Sequence, residues 1–300
     1  MPTSSSPDWE NLRVFLAVAK TGSARQAAST LNLHYTSVIR RLEAFEKQIG
    51  TQLFHKSAKG FEISEVGKTI LKRAENMEDE AYAIERLLAG TKDEIAGVLK
   101  VTMATTIASY LLIEEITQFQ ENYPNINLQL HAGHKFANLS RNEADVAIRV
   151  SDAPGDTLKG RRFGKYYEAV YAHKDYIKKY FPLTKNTQCR WLGWQTPEEF
   201  FAEVKESEFS HIQSYTQIDN EILLFEAVKS KMGIAYLPCF YADNVSDLVR
   251  VNKSQPIPRL DIWLLAHPEM SNSKKVQAFM AFFSPILRAK QHKLQGLLSN

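Results

Sequence analysis

The hydrophobic pattern of the chain changes once, close to residue 98. Up to about residue 90, apolar side chains recur mainly at the three- and four-residue spacings of amphipathic helices. Beyond residue 98, short alternating apolar runs are followed by helical segments, which is typical of strands and helices in turn. The pattern therefore predicts a mostly helical N-terminal part and an α/β C-terminal part. A length of 300 residues is enough for two to three domains.

Composition excludes several classes of protein. The chain is 44% hydrophobic and 24% charged, the balance of an ordinary globular protein. No apolar run approaches the roughly 18–20 residues that span a bilayer, and the first seven residues lack the basic and apolar stretches of a secretory signal. We therefore expect a cytoplasmic protein with no membrane partner. Cys189 and Cys239 are too few for a disulfide framework or a four-cysteine zinc site.

Positive charge is concentrated near the N-terminus. Residues 8–73 carry eleven Lys and Arg against six Asp and Glu, a net charge of +5, while the rest of the chain carries 26 against 28, a net charge of −2. A basic segment on a nearly neutral body favours a polyanionic partner for that segment. A solvated basic face without a partner is the alternative.

Three helices are predicted in this basic segment. Asp8 is a suitable N-cap for a first helix over Trp9–Lys20, and Thr21-Gly22 ends it. Ser23, followed three residues later by Gln26, has the spacing of a capping box and predicts a second helix from Ala24. A third helix is predicted from Tyr35 to Ile49 after a short turn.

The third helix has two different faces. Val38, Leu42, Phe45 and Ile49 cluster on one side, whereas hydroxyl, aromatic and guanidinium groups lie elsewhere in its N-terminal half. Short polar groups and arginines at the start of a recognition helix are what a helix-turn-helix needs to contact bases and phosphates. A three-helix subdomain with a charged surface is the alternative. The residues predicted to contact DNA from these helices are Ser23, Arg25, Tyr35, Thr36, Ser37, Arg40 and Arg41.

Residues 53–63 predict a hairpin with a basic tip. Leu53-Phe54 and Phe61–Ile63 are the expected strands, with Lys56, Lys59 and Gly60 at the tip. Beside a recognition helix such a hairpin forms a wing, and its lysines can reach backbone phosphates. An ordinary hairpin with solubilising lysines is the alternative.

A long helix is predicted after Ser64. Its apolar residues alternate four- and three-residue spacings, and charged residues fill the outer positions. This pattern is an a/d seam over more than three heptads, which favours pairing of two chains. Packing of the helix against its own chain is the alternative. The seam consists of Ile63, Gly67, Ile70, Ala74, Met77, Ala81, Ile84 and Leu88.

These N-terminal features together resemble the LysR-type transcriptional regulator family, and the likeness extends over the whole chain. The chain differs from the usual family pattern at His34-Tyr35 and Ile39 of the recognition helix and in having lysines in the wing. The residues that carry the resemblance are Phe15, Gly22, Ser23, Ala27, Ala28, Leu31, Val38, Arg40, Glu46, Gly50, Leu53, Phe54, Lys56, Lys59, Gly60, Ser64 and Gly67.

The resemblance implies a domain organisation and a set of partners. We expect a winged helix-turn-helix that binds double-stranded DNA over residues 8–65, a linker and dimerisation helix over 66–92, and an effector-binding domain over 93–300. The implied function is sequence-specific transcriptional regulation modulated by a small organic effector. A tetramer built from dimers is usual in the family, and RNA polymerase is a further expected partner.

The C-terminal pattern predicts a βαβαβ unit, because apolar alternation at 99–103, 126–130 and 145–150 is interrupted by helical stretches over 106–123 and near Leu139. A second unit begins near Glu168. The resemblance implies a periplasmic-binding-protein-like domain with two α/β lobes. We expect the chain to cross between them near 163–167 and 266–269, so that lobe I holds about 93–164 and 268–300 and lobe II about 165–267.

The cleft between these lobes is the default ligand site. Ligands of open α/β sheets bind beyond the carboxyl ends of strands, where helix N-termini favour anions. The junction at Thr105-Thr106 therefore predicts a place for a carboxylate; ordinary loop and cap chemistry is the alternative. The predicted effector-binding residues are Thr105, Thr106, His131, Gly133, Arg149, Gln195 and Thr196.

No motif in the sequence predicts catalysis, a cofactor or a metal. A phosphate-binding glycine loop and a nucleophile elbow are both missing from the sequence. His131 and His134 have a spacing that metals can use, but no cysteine or carboxylate clusters with them. A transport or sensing protein without a DNA role and an enzyme built on the two-lobed body are the rival interpretations.

Overall fold

A computed structural model describes residues 8–57, 60–90, 94–133, 143–153, 158–180, 189–205 and 207–297. The chain divides into two units, residues 1–87 and 88–300.

The first unit contains three helices, a hairpin and most of a long fourth helix. Its elements are α1 (Trp9–Thr21), α2 (Ala24–Leu31), α3 (Tyr35–Ile49), β1 (Phe54–Ser57), β2 (Gly60–Ile63) and α4 (Glu65–Gly90). The predicted helix starts are confirmed at Trp9, Ala24 and Tyr35.

The two predicted N-caps also form. Asp8 accepts from the Glu10 backbone N–H at 3.1 Å, and Ser23 Oγ accepts from that of Gln26 at 3.4 Å. Only one of the two hydrogen bonds of a capping box forms. The Ser23 backbone N–H donates to Thr21 Oγ1 at 3.3 Å and not to the Gln26 side chain.

A small aromatic core holds the first unit together. The ring of Phe15 lies 6.3 Å from that of Phe45 on α3 and 5.5 Å from that of Phe54 on β1, measured between centroids. The hairpin is tied to the turn between α1 and α2, because Phe61 N donates to the carbonyl of Gly22 at 2.9 Å. A Cβ on Gly60 would lie 2.4 Å from that same carbonyl oxygen, so this approach requires glycine.

The second unit alternates strands and helices. Shorter helical turns lie at Ile107–Leu112, Val251–Lys253 and Pro268–Asn272. Its strands and helices are β3 (Gly97–Met103), α5 (Ile113–Asn122), β4 (Ile126–Ala132), β5 (Val146–Ser151), β6 (Lys159–His173), α6 (Lys174–Tyr180), β7 (Arg190–Gly193), α7 (Pro197–Val204), β8 (Ser214–Gln217), α8 (Glu221–Lys229), β9 (Ala235–Pro238), α9 (Cys239–Ala242), β10 (Leu248–Arg250), β11 (Ile257–Ala266), α10 (Lys274–Ala289) and α11 (Gln291–Leu294).

The strands confirm the predicted parallel unit. In the larger sheet the order is β10-β6-β11-β5-β3-β4, with β9 paired to β6. β3 runs parallel to both β4 and β5, while β7 and β8 form a separate parallel pair. The short helix expected near Leu139 falls outside the described residues.

The helix expected over 106–123 is confirmed, but its first part is irregular. Residues Ile107–Leu112 form a π-helical segment, and Ile113–Asn122 continues it as the α-helix α5. Leu111 and Leu112, which are adjacent in the π-helical segment, are both buried in the core.

Strand β11 pairs with two strands of the large sheet. Asp261–Ala266 pairs with β5, which belongs to the part expected in lobe I, while Ile257 and Pro258 pair with Glu168 and Tyr167 of β6. The partners of β11 were not predicted, because apolar alternation identifies a strand but not the strand it pairs with, and the second crossing near 266–269 stays a prediction. On β6, Gly164 has a φ of +88° inside the segment expected to cross first.

Candidate functional site

The two faces of α3 are as the sequence predicted. Val38, Leu42 and Phe45 are buried, while Tyr35, Thr36 and Arg40 are exposed and Ser37 and Arg41 are partly buried. The exposed half therefore presents a phenol, a hydroxyl and a guanidinium to solvent.

Cations on this surface are only loosely paired. Arg41 lies 3.9 Å from a carboxylate oxygen of Glu10, and Lys56 on β1 lies 3.9 Å from one of Glu43. Arg40 makes no ion pair within the described part of the chain. Such charges remain available to an external polyanion because little has to be broken before they bind it.

The other predicted DNA contacts have different surroundings. Arg25 is exposed on α2, whereas the hydroxyl of Ser23 is used as the cap of that helix. Lys59 falls outside the described residues.

Glu46 positions the wing, a role that the sequence reasoning missed. Its Oε1 accepts from the backbone N–H of Leu53 at 2.7 Å and of Phe54 at 3.2 Å. The start of β1 is therefore fixed to α3. Glu46 is one of the residues that carry the resemblance to the family. That resemblance did not indicate which groups the Glu46 side chain contacts.

The seam of α4 is divided into two parts. Its first part packs on its own chain, since Gly67 and Ala74 are buried and Lys20 of α1 lies 2.6 Å from Glu78. Farther along, Met77, Ile84 and Leu88 are 48%, 61% and 65% exposed. The alternative of packing within the chain is therefore right for the first part, whereas an uncovered apolar row remains in the second.

The second unit contains a cavity of about 880 Å³. It is lined from both halves of the large sheet and by the β7 and α8 region. Four of the seven predicted effector-binding residues line it: Thr106, Gly133, Arg149 and Gln195. Burial lowers the pKa of the Arg149 guanidinium.

Thr105, His131 and Thr196 do not line the cavity. His131 is exposed on the edge strand β4. Thr196 caps α7 in a full capping box with Glu199, where its backbone N–H donates to a carboxylate oxygen at 3.1 Å. Thr105 is partly buried outside the lining.

A partly buried ion pair in the cavity wall was not predicted. Arg259 Nε donates to Glu168 Oε2 at 2.7 Å, and its Nη1 lies 2.6 Å from Glu203 Oε1. Its guanidinium also lies 5.2 Å from the centroid of the Tyr236 ring. Burial raises the pKa of the Glu168 carboxyl, and Arg259 opposes that rise. Arg259 and Glu168 are 91 residues apart, so no local pattern could have revealed the pair.

A second long-range contact lies inside the cavity. Thr106 Oγ1 donates to Glu221 Oε2 at 3.1 Å. Burial raises the pKa of both Tyr166 and Tyr241, which line the same cavity, and the charges of Glu168 and Glu221 add to the rise. The Glu221 carboxylate therefore belongs to the cavity and not to the outer surface.

Comparison with known proteins identifies the two units. Residues 9–68 match the family described as bacterial regulatory helix-turn-helix protein, lysR family, and residues 92–286 match the LysR substrate binding domain. The chain belongs to the LysR-type transcriptional regulator family. The predicted fold class, a winged helix-turn-helix followed by the α/β domain of this family, is confirmed.

Curated relatives of this LysR-type regulator are similar over part or most of its length. An HTH-type transcriptional regulator of Xanthomonas campestris pv. campestris is 27% identical over 173 residues, which are 58% of this chain and 50% of that relative. The HTH-type transcriptional regulator CrgA of Neisseria meningitidis serogroup C is 28% identical over 244 residues, which are 78% of this chain and 81% of that relative.

The fold of this regulator is also that of a solved full-length family structure. The structure of CrgA from Neisseria meningitidis covers 95% of this chain and 99% of its own, with a TM-score of 0.53 at 22% identity. Among the described residues of this regulator, no helix is both long and apolar enough to cross a membrane. No group of three or more potential metal ligands is found in the same residues.

Proposed function

We propose that this regulator binds a specific double-stranded DNA site through α3 and the wing. The observation that carries the proposal is the exposed polar half of α3, with Arg40 at its centre and Lys56 of the wing exposed on the neighbouring hairpin. Base edges are read by polar groups on such a helix, and wing lysines hold phosphates. The proposed contacts are Ser23, Arg25, Tyr35, Thr36, Ser37, Arg40, Arg41, Lys56 and Lys59.

Two copies of the chain present two recognition helices to a roughly two-fold DNA site in this proposal. The uncovered apolar row on the second part of α4 supports pairing through that helix, because a seam of Met, Ile and Leu at heptad spacing is stabilised by a partner helix. Association of dimers into a tetramer and contact with RNA polymerase complete the proposed assembly, which acts in the cytoplasm. The proposed domains remain 8–65, 66–92 and 93–300.

The cavity is the proposed effector site. Its volume suits a small organic molecule, and Thr106, Gly133, Arg149 and Gln195 supply polar contacts on its wall. A carboxylate is the proposed recognised group, since Arg149 and the helical start after β3 both favour an anion. Effector binding changes the geometry of the lobes and thereby the spacing of the two DNA-binding units.

DNA binding by the full chain tests this function. Fluorescence anisotropy is measured on the intergenic DNA upstream of its own coding region, over a salt series and with scrambled competitor DNA. We expect binding that exceeds the competitor by about 10³ or more, as specific recognition requires. Weak binding that ignores sequence and falls steeply with salt would show phosphate contact alone, and the proposal would be wrong for this DNA.

A further inference from the structure

The place that an effector carboxylate should take is held by a carboxylate of the chain. The helical start after β3, at Thr105-Thr106, offers an anion a hydroxyl and the first backbone N–H groups of a helix. In the structure Thr106 Oγ1 donates to Glu221, which is 115 residues away and is the first residue of α8. Glu221 thus stands in for the acidic ligand that this position favours.

The surroundings of Glu221 are suited to exchange of one carboxylate for another. Glu221 lines the cavity together with Arg149, Tyr166 and Tyr241, so a guanidinium and two phenols line the same space. Another acid of the wall, Glu168, accepts a hydrogen bond from Arg259 at 2.7 Å. The cavity is much larger than one carboxylate group, so an incoming molecule has room beside α8.

The start of α8 does not depend on Glu221. Asn220 is the N-cap of this helix, and its Oδ1 accepts from Leu223 N at 2.9 Å. Release of the Glu221 side chain therefore leaves the helix capped, while it breaks the bond between α8 and the segment after β3.

We propose that Glu221 is a built-in competitor of the effector, whose carboxylate must leave Thr106 before an effector carboxylate can bind there. This inference rests on the proposed effector site. It makes Glu221 a specificity-determining residue, because a ligand with a carboxylate gains more from removal of the Glu221 charge than a neutral ligand of the same shape. It also makes the Thr106–Glu221 bond one of the contacts of the unliganded state, since binding of an acid at Thr106 breaks this link between α8 and the β3 side of the cavity.

Three probes with the same ring and different charge test the inference: phenylacetate, 2-phenylethanol and 2-phenylethylamine. Their dissociation constants are measured by isothermal titration calorimetry on the full-length wild type, Glu221→Gln and Glu221→Ala. The matched control is Glu226→Gln on the same helix, since Glu226 pairs with Lys229 at 2.6 Å and does not line the cavity. We expect phenylacetate to bind about tenfold or more tightly in both Glu221 variants. We expect less than threefold change for 2-phenylethanol and no change in Glu226→Gln.

Three results would overturn the inference. In the first, 2-phenylethylamine binds most tightly to the wild type and is weakened in Glu221→Gln, which would make Glu221 a direct ligand of a cation. In the second, the Glu221 and Glu226 variants behave alike. In the third, phenylacetate binds to none of the proteins. DNA anisotropy on the same preparations separates this failure from failure of the proposed function, because specific DNA binding can persist when carboxylate competition does not. Glu221→Gln keeps the side-chain shape, so the test remains valid if the alanine variant is unstable.

Discussion

The charged residues of the DNA-binding face and those of the cavity wall lie in opposite surroundings. The side chain of Lys56 is 70% exposed and 3.9 Å from its partner Glu43, whereas Glu168 is 14% exposed and 2.7 Å from Arg259. Exposed charges are screened by salt and lose little when their neighbour is removed. Buried charges depend on their partners, because an unpaired charge in a protein interior is strongly destabilising. The charges of the DNA-binding face are therefore suited to binding an external partner. The ion pair of the cavity wall instead stabilises the fold of the second unit.

The largest expected effect on stability comes from breaking the Arg259–Glu168 pair. Arg259→Ala removes the partner of Glu168 and leaves the carboxylate buried, so we expect the free energy of unfolding of the second unit to fall by about 3–5 kcal/mol. Differential scanning calorimetry of the full chain measures the change. The matched control is Lys178→Ala, because Lys178 is exposed and forms an i,i+3 pair with Asp175. Its expected cost is about 0–1 kcal/mol. If Arg259→Ala and Lys178→Ala lowered the free energy of unfolding equally, exposed and partly buried ion pairs of this protein would not differ in their contribution to stability.

The cost of Arg259→Ala is also expected to depend on pH. Burial already raises the pKa of Glu168, and loss of Arg259 removes the main opposing influence. An acid with a raised folded-state pKa stabilises the fold fully below its unfolded pKa, and this contribution is lost as pH rises through the folded value. The stability gap between wild type and variant should therefore narrow as pH falls from neutral towards 4.5. A gap that stays constant over this range would show that Glu168 is not the group left unpaired.

The DNA-binding face and the cavity also differ in how much of each could be predicted from the sequence. The bounds of α3, Tyr35–Ile49, follow from a helical period that ends at Gly50, and its exposed half follows from the same period. All contacts needed for that prediction lie within one helix. The cavity contacts Thr106–Glu221 and Arg259–Glu168 join residues 115 and 91 positions apart, where local spacing carries no information.

Errors in the second unit have the same physical origin. The alternation at Asp261–Ala266 correctly predicted a strand, but its pairing with β5 depends on tertiary packing. Likewise, the sequence pattern placed Thr196 and His131 just after strands, where ligand-binding residues often lie. In the structure Thr196 caps a helix, and His131 lies within the edge strand β4, exposed to solvent. Polar residues at strand ends identify candidates, and only the three-dimensional arrangement selects among them.

On the DNA-binding face, Arg40→Ala is expected to have the largest effect. If Arg40 contacts a base, its loss should cost about 1–3 kcal/mol in binding and relax specificity at one position of the site. Competition anisotropy with single-base variants of the site measures both quantities. Lys47→Ala is the matched control, because Lys47 is exposed in the last turn of the same helix, away from the polar N-terminal half. A uniform loss over all DNA sequences would instead assign Arg40 to a phosphate.

The smallest expected effect is that of the wing. Lys56→Ala should weaken binding to specific and scrambled DNA alike, because a lysine on a phosphate adds affinity without sequence information. Each phosphate contact contributes about 0.9 to the slope of log K against log salt, so the slope should become shallower by about one in this variant. Stability should change little, since the Lys56–Glu43 pair is exposed and 3.9 Å long. A loss confined to the specific site at an unchanged salt slope would instead give the wing a part in base recognition.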